Sequence, residues 1–320
     1  MKNVVVIGGG KGQSSLLRGL KHIEDIKLYA IVTVADDGGS TGRLREDFNM
    51  PAMGDIRNVM LSLAGNETLL GDIMNYRFDS HSRSTLAGHN LGNLILTALT
   101  DSMGDFMSAI QSLSKVLSVM GEIIPASKDI ITLCAKMADG TIIRGESNIP
   151  MYQNHIVEVF YDVEVKATEK ALEAIHNADI ILFGVGSIYT SILPNVIIPE
   201  IKEALQKTQA KKIYYCNAMS QAGETEGYCA EDHVNALQNH GNFKFDLVVG
   251  ASDTIPQEVL DVYEEDGLNP VHFIEKEHDY KILRQELLTF EDNIVWHDAT
   301  KILDGFHEVL EVVGCPLVKK

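Results

Sequence analysis

The first 35 residues restrict the fold more than any other part of the chain. Residues 4–7 are a β-branched run, Gly8-Gly9-Gly10-Lys11-Gly12 is a glycine turn, and residues 14–22 carry Leu16, Leu17 and Leu20 on one helical face. Residues 28–35 read as a second strand, and its apolar end, 31–35, suits a strand buried on both faces. Strand, helix, strand in this order is a βαβ unit, a crossover that is almost always right-handed. The two strands are expected to lie parallel, in a sheet that delivers its ligand loops at the C-terminal strand ends.

The parallel pattern returns late in the chain. Residues 179–185 predict a buried strand, followed by Gly186-Ser187 and a helix to about 208; residues 212–216 and 245–250 predict two more strands. Between the halves, residues 54–120 show helical spacing without convincing strands. Residues 122–165 suggest a small antiparallel element, with 130–137 and 141–144 flanking the hairpin signal Asp139-Gly140 and an alternating run at 156–161. Leu303, Phe306, His307, Leu310 and Val313 mark an amphipathic C-terminal helix. The expected architecture is α/β, a Rossmann-like, doubly wound, mostly parallel sheet in three layers. One domain spans 1–320, with a helical insertion at about 54–120 and a β-hairpin insertion at about 122–165.

Composition narrows the function. Lys plus Arg number 27 against 45 Asp plus Glu, a net charge of −18. That balance opposes nucleic-acid binding, which depends on phosphate neutralisation, but it leaves room for a local basic pocket around a small anion. Nothing approaches the ~20 apolar residues of a membrane span. The 4–7 run, followed at once by glycines, reads as a strand and not as a signal peptide. Four scattered cysteines with no CxxC pair fit a reduced, cytoplasmic setting.

Chemistry concentrates where the second strand is expected to end. Asp36-Asp37-Gly38-Gly39-Ser40-Thr41-Gly42-Arg43-Leu44-Arg45 brings paired carboxylates, hydroxyls and guanidiniums into one short stretch. Either Asp36 or Asp37 could hold Mg²⁺ beside phosphates or act as a general base. Adjacent side chains on a strand point to opposite sides, so one of the two is expected to enter the site fully. The Gly8–Gly12 turn opens a helix N-terminus and so suits a phosphate. It is not a P-loop, and Gln13 breaks a GxGxxG frame. Asp36, 24 positions beyond Gly12, nevertheless matches the ribose-binding acid of a dinucleotide fold, which keeps NAD(P) open. Asp55 in Gly54-Asp55-Ile56-Arg57-Asn58 reads as a helix cap, while Arg57 and Asn58 in the same turn point to an anionic partner. In Gly88-His89-Asn90-Leu91-Gly92-Asn93, Asn90 is a cap candidate and His89 either structural or functional. No zinc spacing occurs. Gly186, Ser187 and Tyr189 follow one strand, Asn217 and Met219 the next; the first of these loops is not a nucleophile elbow.

In this order, the motifs at 8–12, 35–45, 54–58, 88–93, 184–195 and 217–225 resemble the YvcK-type gluconeogenesis factor family, itself similar to 2-phospho-L-lactate transferase (CofD-like). The resemblance covers nearly the whole chain. Lys11 and Gln13 depart from the family's GGGTGLS loop. It implies a cytoplasmic protein that binds a UDP-sugar or other nucleotide, tied to carbon metabolism, cell-envelope balance and cell shape. The ligand-binding residues so implied are Gly8, Gly9, Gly10, Lys11, Gly12, Ser40, Arg43, Arg57, Asn58, His89, Asn93, Gly186, Ser187, Tyr189, Asn217 and Met219. Asp36 and Asp37 are the implied catalytic pair, with Mg²⁺ on one of them. A Mg²⁺-dependent transferase of phosphorus-containing groups is the alternative reading, an NAD(P)-binding oxidoreductase the third, and a homo-oligomer is left open.

Overall fold

The computed structural model describes residues 1–65 and 69–317. The N-terminal unit is β1 (Lys2–Gly8), α1 (Gly10–Leu20) and β2 (Ile26–Val32), with β1 and β2 parallel in the register Val5 to Tyr29. Val4, Val5, Val6 and Ile7 are all fully buried, as an inner strand of a two-sided sheet requires. Five helices follow: α2 (Gly39–Phe48), α3 (Gly54–Leu63), α4 (Leu69–Asn75), α5 (Leu91–Met103) and α6 (Phe106–Val116). Next come β3 (Glu122–Pro125) and a three-stranded antiparallel sheet of β4 (Leu133–Met137), β5 (Ile142–Arg144) and β6 (Ile156–Tyr161), with a 3₁₀ turn at Glu146–Met151. The chain returns to the main sheet through α7 (Glu169–His176) and β7 (Ile180–Phe183). A π turn (Ile188–Ile192), α8 (Leu193–Val196), α9 (Pro199–Lys207), β8 (Lys211–Tyr215), α10 (Ala230–Gly241), β9 (Leu247–Ala251), α11 (Gln257–Glu265) and β10 (Lys281–Gln285) follow. The hairpin β11 (Leu288–Glu291) and β12 (Ile294–His297) leads into α12 (Ala299–Val312).

The main sheet runs β10-β9-β8-β7-β1-β2-β3, and every pairing in it is parallel. From β1 the order proceeds outward through β2 and β3, then restarts at β7 on the other side of β1 and continues to β10. This is the doubly wound order, and its reversal between β1 and β7 opens a crevice above their C-terminal ends. Helix α1 packs with α3 and α12, while α7, α8, α9 and α10 pack among themselves.

Several expectations shift by a definite physical cause. The second strand stops at Val32, not Ala35. Thr33 N donates to Gly8 O (3.0 Å) and Ala35 N to Thr33 Oγ1 (3.2 Å), which bends the chain out of the sheet. Val34 and Ala35 stay buried without being strand, because apolarity reports burial and not conformation. Residues 122–125 belong to the parallel sheet beside β2, so the antiparallel element is confined to β4, β5 and β6. The Gly-rich stretch from Gly39 forms the first turn of α2. The single helix expected from 188 to 208 is three pieces, since Pro194 and Pro199 each restart it at N1 or N2.

Candidate functional site

Gln13 shows how tightly the crevice is framed. Its side chain is fully buried and its Nε2 donates to Val6 O (2.9 Å) and Ile31 O (3.0 Å). A dinucleotide loop keeps its third glycine at this position so that helix and strand can touch; here an amide fills the gap and bonds to both strands. Gly12 is the opposite case. A Cβ there would overlap the carbonyl oxygen of Val185, so α1 rests directly on the loop after β7. That loop is held in turn by Asn217, whose Nδ2 donates to Gly186 O (3.0 Å) and whose Oδ1 accepts from Gly186 N (3.4 Å). Gly8 O is bound from two sides, by Thr33 N and by Asn195 Nδ2, both at 3.0 Å. The loops after β1, β7 and β8 thus form one connected rim.

On the β7 and β8 side of the rim lies a cavity of about 490 Å³. Lys11, Gly12, Gly186, Ser187, Asn217 and Met219 line it, joined by Tyr263 and the hairpin residues Ile294, Val295, Trp296 and His297. Among the described residues no carboxylate lines it, although the chain carries 45 of them. The Lys11 Nζ lies 5.5 Å from the centre of the Trp296 ring. Burial holds the His297 imidazole down at about 4, so it is neutral throughout the physiological range.

On the β2 side, the N-terminal turns of α2, α3 and α5 meet. Ser40 Oγ accepts from Asn90 N (3.1 Å) and lies 3.2 Å from His89 Nδ1; Asn93 Nδ2 reaches Thr41 Oγ1 (3.3 Å). Asn90 is the α5 cap expected, accepting from Asn93 N. His89, 6 % exposed, is pushed down by burial and by nearby Arg43. Arg43 and Arg77 donate to the carbonyls of Ala87 and Gly88, which anchors both guanidiniums on the His89 turn. Arg57 is 8 % exposed, donates to Asn58 Oδ1, and leaves its Nε without a partner. Arg45, by contrast, is spent on the backbone carbonyls of Ala35, Asp36 and Ile131 and is no ligand candidate.

The adjacent aspartates part company. Asp37 accepts from Glu146 N (3.0 Å) and Ser147 N (2.9 Å), so it caps the 3₁₀ turn. Asp36 faces the start of α3: a Cβ on Gly54 would strike Asp36 Oδ2 and come within 2.5 Å of Thr41 Oγ1. Its Oδ1 accepts from Gly38 N (2.9 Å), and Asp55 lies near enough to feel its charge. The cap of α3 is Met53, with no side-chain bond, so Asp55 is not the N-cap read from the sequence. Its carboxyl instead receives the Gly10 N–H and the Asn58 amide, and burial and then Asp36 push it up to about 7. Glu146 is pushed up to about 8 by burial, then by Asp36, Asp55, Asp37 and Glu224. Among the described residues no group of three or more His, Cys, Asp or Glu is arranged to hold a metal ion.

Behind the cavity wall, Ser187 Oγ donates to Glu224, which also accepts from Thr190 Oγ1 (3.1 Å) and Gln221 Nε2 (3.1 Å). Burial raises the Glu224 carboxyl to about 6 despite these donors. Tyr189 does not face the cavity: it is 2 % exposed and its hydroxyl pairs with Tyr228 at 2.9 Å. Among the site residues that the sequence did not single out are Asp55, Glu146, Glu224, Tyr263, Trp296 and His297. Trp296 carried one usable signal, being the only tryptophan in the chain; Glu224 lies within the 217–225 motif but was not singled out there, and Glu146 sits in a turn with no motif of its own.

Comparison with known proteins agrees with this fold. The family model described as 2-phospho-L-lactate transferase CofD matches residues 4–288. The gluconeogenesis factor of Bacillus subtilis is 44 % identical over 313 residues, covering 96 % of this chain and 98 % of its own. That of Halalkalibacterium halodurans is 43 % identical over 314 residues, covering 96 % of each. A solved structure of a UPF0052 family member from Bacillus halodurans superposes with a TM-score of 0.90 at 42 % identity, covering 95 % of this chain and 99 % of that one.

Proposed function

The chain belongs to the CofD family and stands among its gluconeogenesis factors, and from that premise we propose that it is a nucleotide-sugar-binding regulator of carbon metabolism. The observation that carries this reading is the cavity beside Gly12 and Gly186. Its volume fits a ligand pocket, its aromatic wall of Tyr263 and Trp296 suits a base, and the Lys11 ammonium, with no carboxylate among the described lining residues, suits a diphosphate. A UDP-sugar is the ligand class proposed, with a cytoplasmic setting and a role in cell-envelope balance and cell shape. Gln13 in place of the third glycine argues against NAD(P).

A second reading has its own observation. A carboxyl near 7 is poised to accept a proton from an acceptor hydroxyl, and Asp55 lies against Asp36 and the Gly10 N–H. This supports a transferase of phosphorus-containing groups, as the family's name suggests. The hard oxygen donors of Asp36 and Asp55 fit Mg²⁺, which commonly takes one or two protein carboxylates and completes its shell with phosphate and water. Bound there, the ion would supply charge neutralisation for the transferred group.

Thermal melting against UDP-sugars, other nucleotide sugars and NAD(P), with and without Mg²⁺, separates the readings. A UDP-sugar at 100 times its dissociation constant is expected to stabilise the fold by about 2.7 kcal/mol without needing Mg²⁺. Stabilisation by NAD(P) alone would reverse the assignment. Stabilisation only with Mg²⁺, together with turnover, would favour the transferase.

A further inference from the structure

We infer that Lys11 and Trp296 form a clasp over the cavity, opened by the diphosphate of its ligand. Lys11 stands in the first turn of α1, at the lip, and its Nζ lies over the Trp296 ring at 5.5 Å. Both residues line the cavity, and among the described residues no carboxylate does. In this position the ammonium covers the aromatic face on which a base would stack. Its hold on the ring is weak, because an exposed cation–π contact is worth less than a charge-assisted hydrogen bond to phosphate. A diphosphate near Gly12 and Gly186 therefore draws Lys11 off the indole. The uncovered ring is then free to stack with the base of the same ligand. An anion and an aromatic group are both needed to exchange one weak contact for two stronger ones, so the clasp selects nucleoside diphosphates over nucleosides.

The inference rests on the nucleotide reading, and the probes are chosen to separate the two. The intact chain, Lys11→Met and Lys11→Arg are titrated with uridine diphosphate, uridine and inorganic pyrophosphate. Calorimetry gives affinity, and emission from Trp296, the only tryptophan, reports the ring. Lys11 is exposed, so both variants should fold, and melting verifies it. The expected result is a tenfold or greater loss of uridine diphosphate affinity in Lys11→Met, with uridine bound as well as by the parent or better, because the indole is already bare. Lys11→Arg should keep most of the diphosphate affinity. Equal loss for uridine and uridine diphosphate, or no loss for either, overturns the clasp. If the parent ignores both uridine compounds while pyrophosphate shifts its emission and Lys11→Met abolishes the shift, the clasp stands and the nucleotide reading falls. If none of the three probes acts on the parent, both fall.

Discussion

Gly12→Ala should destabilise the protein by about 3 kcal/mol and weaken ligand binding by at least tenfold. The added Cβ would overlap Val185 O and crowd the Gly186 Cα at 2.8 Å. These are backbone atoms, so no side chain can rotate away. The Val185–Gly186 segment cannot retreat either, because both polar groups of the Asn217 amide hold Gly186. Helix α1 must move instead, and it carries Lys11 and the lip of the cavity with it. Melting temperature and calorimetric affinity measure the two losses. Ser15→Ala, at another cavity-lining position of α1, is the control and should leave stability nearly unchanged. If Gly12→Ala melts and binds like the parent, the close approach of α1 to the β7 loop is not what shapes the site. Gly10→Val is a poorer probe: Gly10 has φ +62°, where a β-branched residue is strained with or without a ligand.

Asp37→Asn is expected to act on structure. Its carboxylate receives two backbone N–H groups at the start of the 3₁₀ turn, and an amide can replace only one of those acceptor oxygens. A loss of about 1 kcal/mol with ligand affinity unchanged is the expected outcome, measured by denaturant titration; a large loss of affinity at full stability would return Asp37 to the site.

The sequence made the framework legible because a buried parallel strand has a strong local signature. The runs at β1, β7, β8 and β9 are short, apolar and followed by polar or glycine-containing loops, and all four are present close to the expected positions. Elements whose burial comes from distant partners were harder to see. β3 has only Ile123 and Ile124 as its apolar signal, and β10 lies at the sheet edge with an exposed start. The site divided in the same way. Gly12, Gly186 and Asn217 follow strands and come together as expected. Glu146 and Glu224 reach the site because Asp37 captures one turn and Ser187 with Thr190 captures the other, contacts more than 30 positions apart in sequence. Asp55 was visible but misassigned, since a carboxylate in a first helical turn looks like a cap until the fold shows that it faces Gly10 and Asp36.

Asp55→Asn should raise stability at pH 8 and remove the turnover or Mg²⁺ response that depends on this carboxyl. In the unfolded chain this carboxyl titrates near 4, whereas in the fold burial and Asp36 hold it near 7. Between those values the folded protein keeps a proton that the unfolded chain has lost. Stability therefore falls as pH rises from about 4 to about 7 and then levels off. At pH 3, where Asp55 is protonated in the folded and the unfolded chain alike, the parent and its amide variant should melt alike. At pH 8 the parent holds an anion beside Asp36 and the variant does not, so the variant should be more stable by on the order of 1–3 kcal/mol. Removing that charge also removes one of the groups raising Glu146, whose carboxyl near 8 should move down. A group kept ionisable at a cost in stability is the pattern of a working site and not of a structural ion pair. The functional consequence separates the two proposed roles. In a transferase the variant should lose turnover by ~10²-fold or more. In a regulator it should lose any Mg²⁺ dependence while the nucleotide affinity of the cavity, which Asp55 does not line, stays intact. Equal stability of parent and variant at pH 8, or an unchanged response to Mg²⁺ and acceptor in both assays, would remove Asp55 from the centre of the site and leave the cavity as its only functional part.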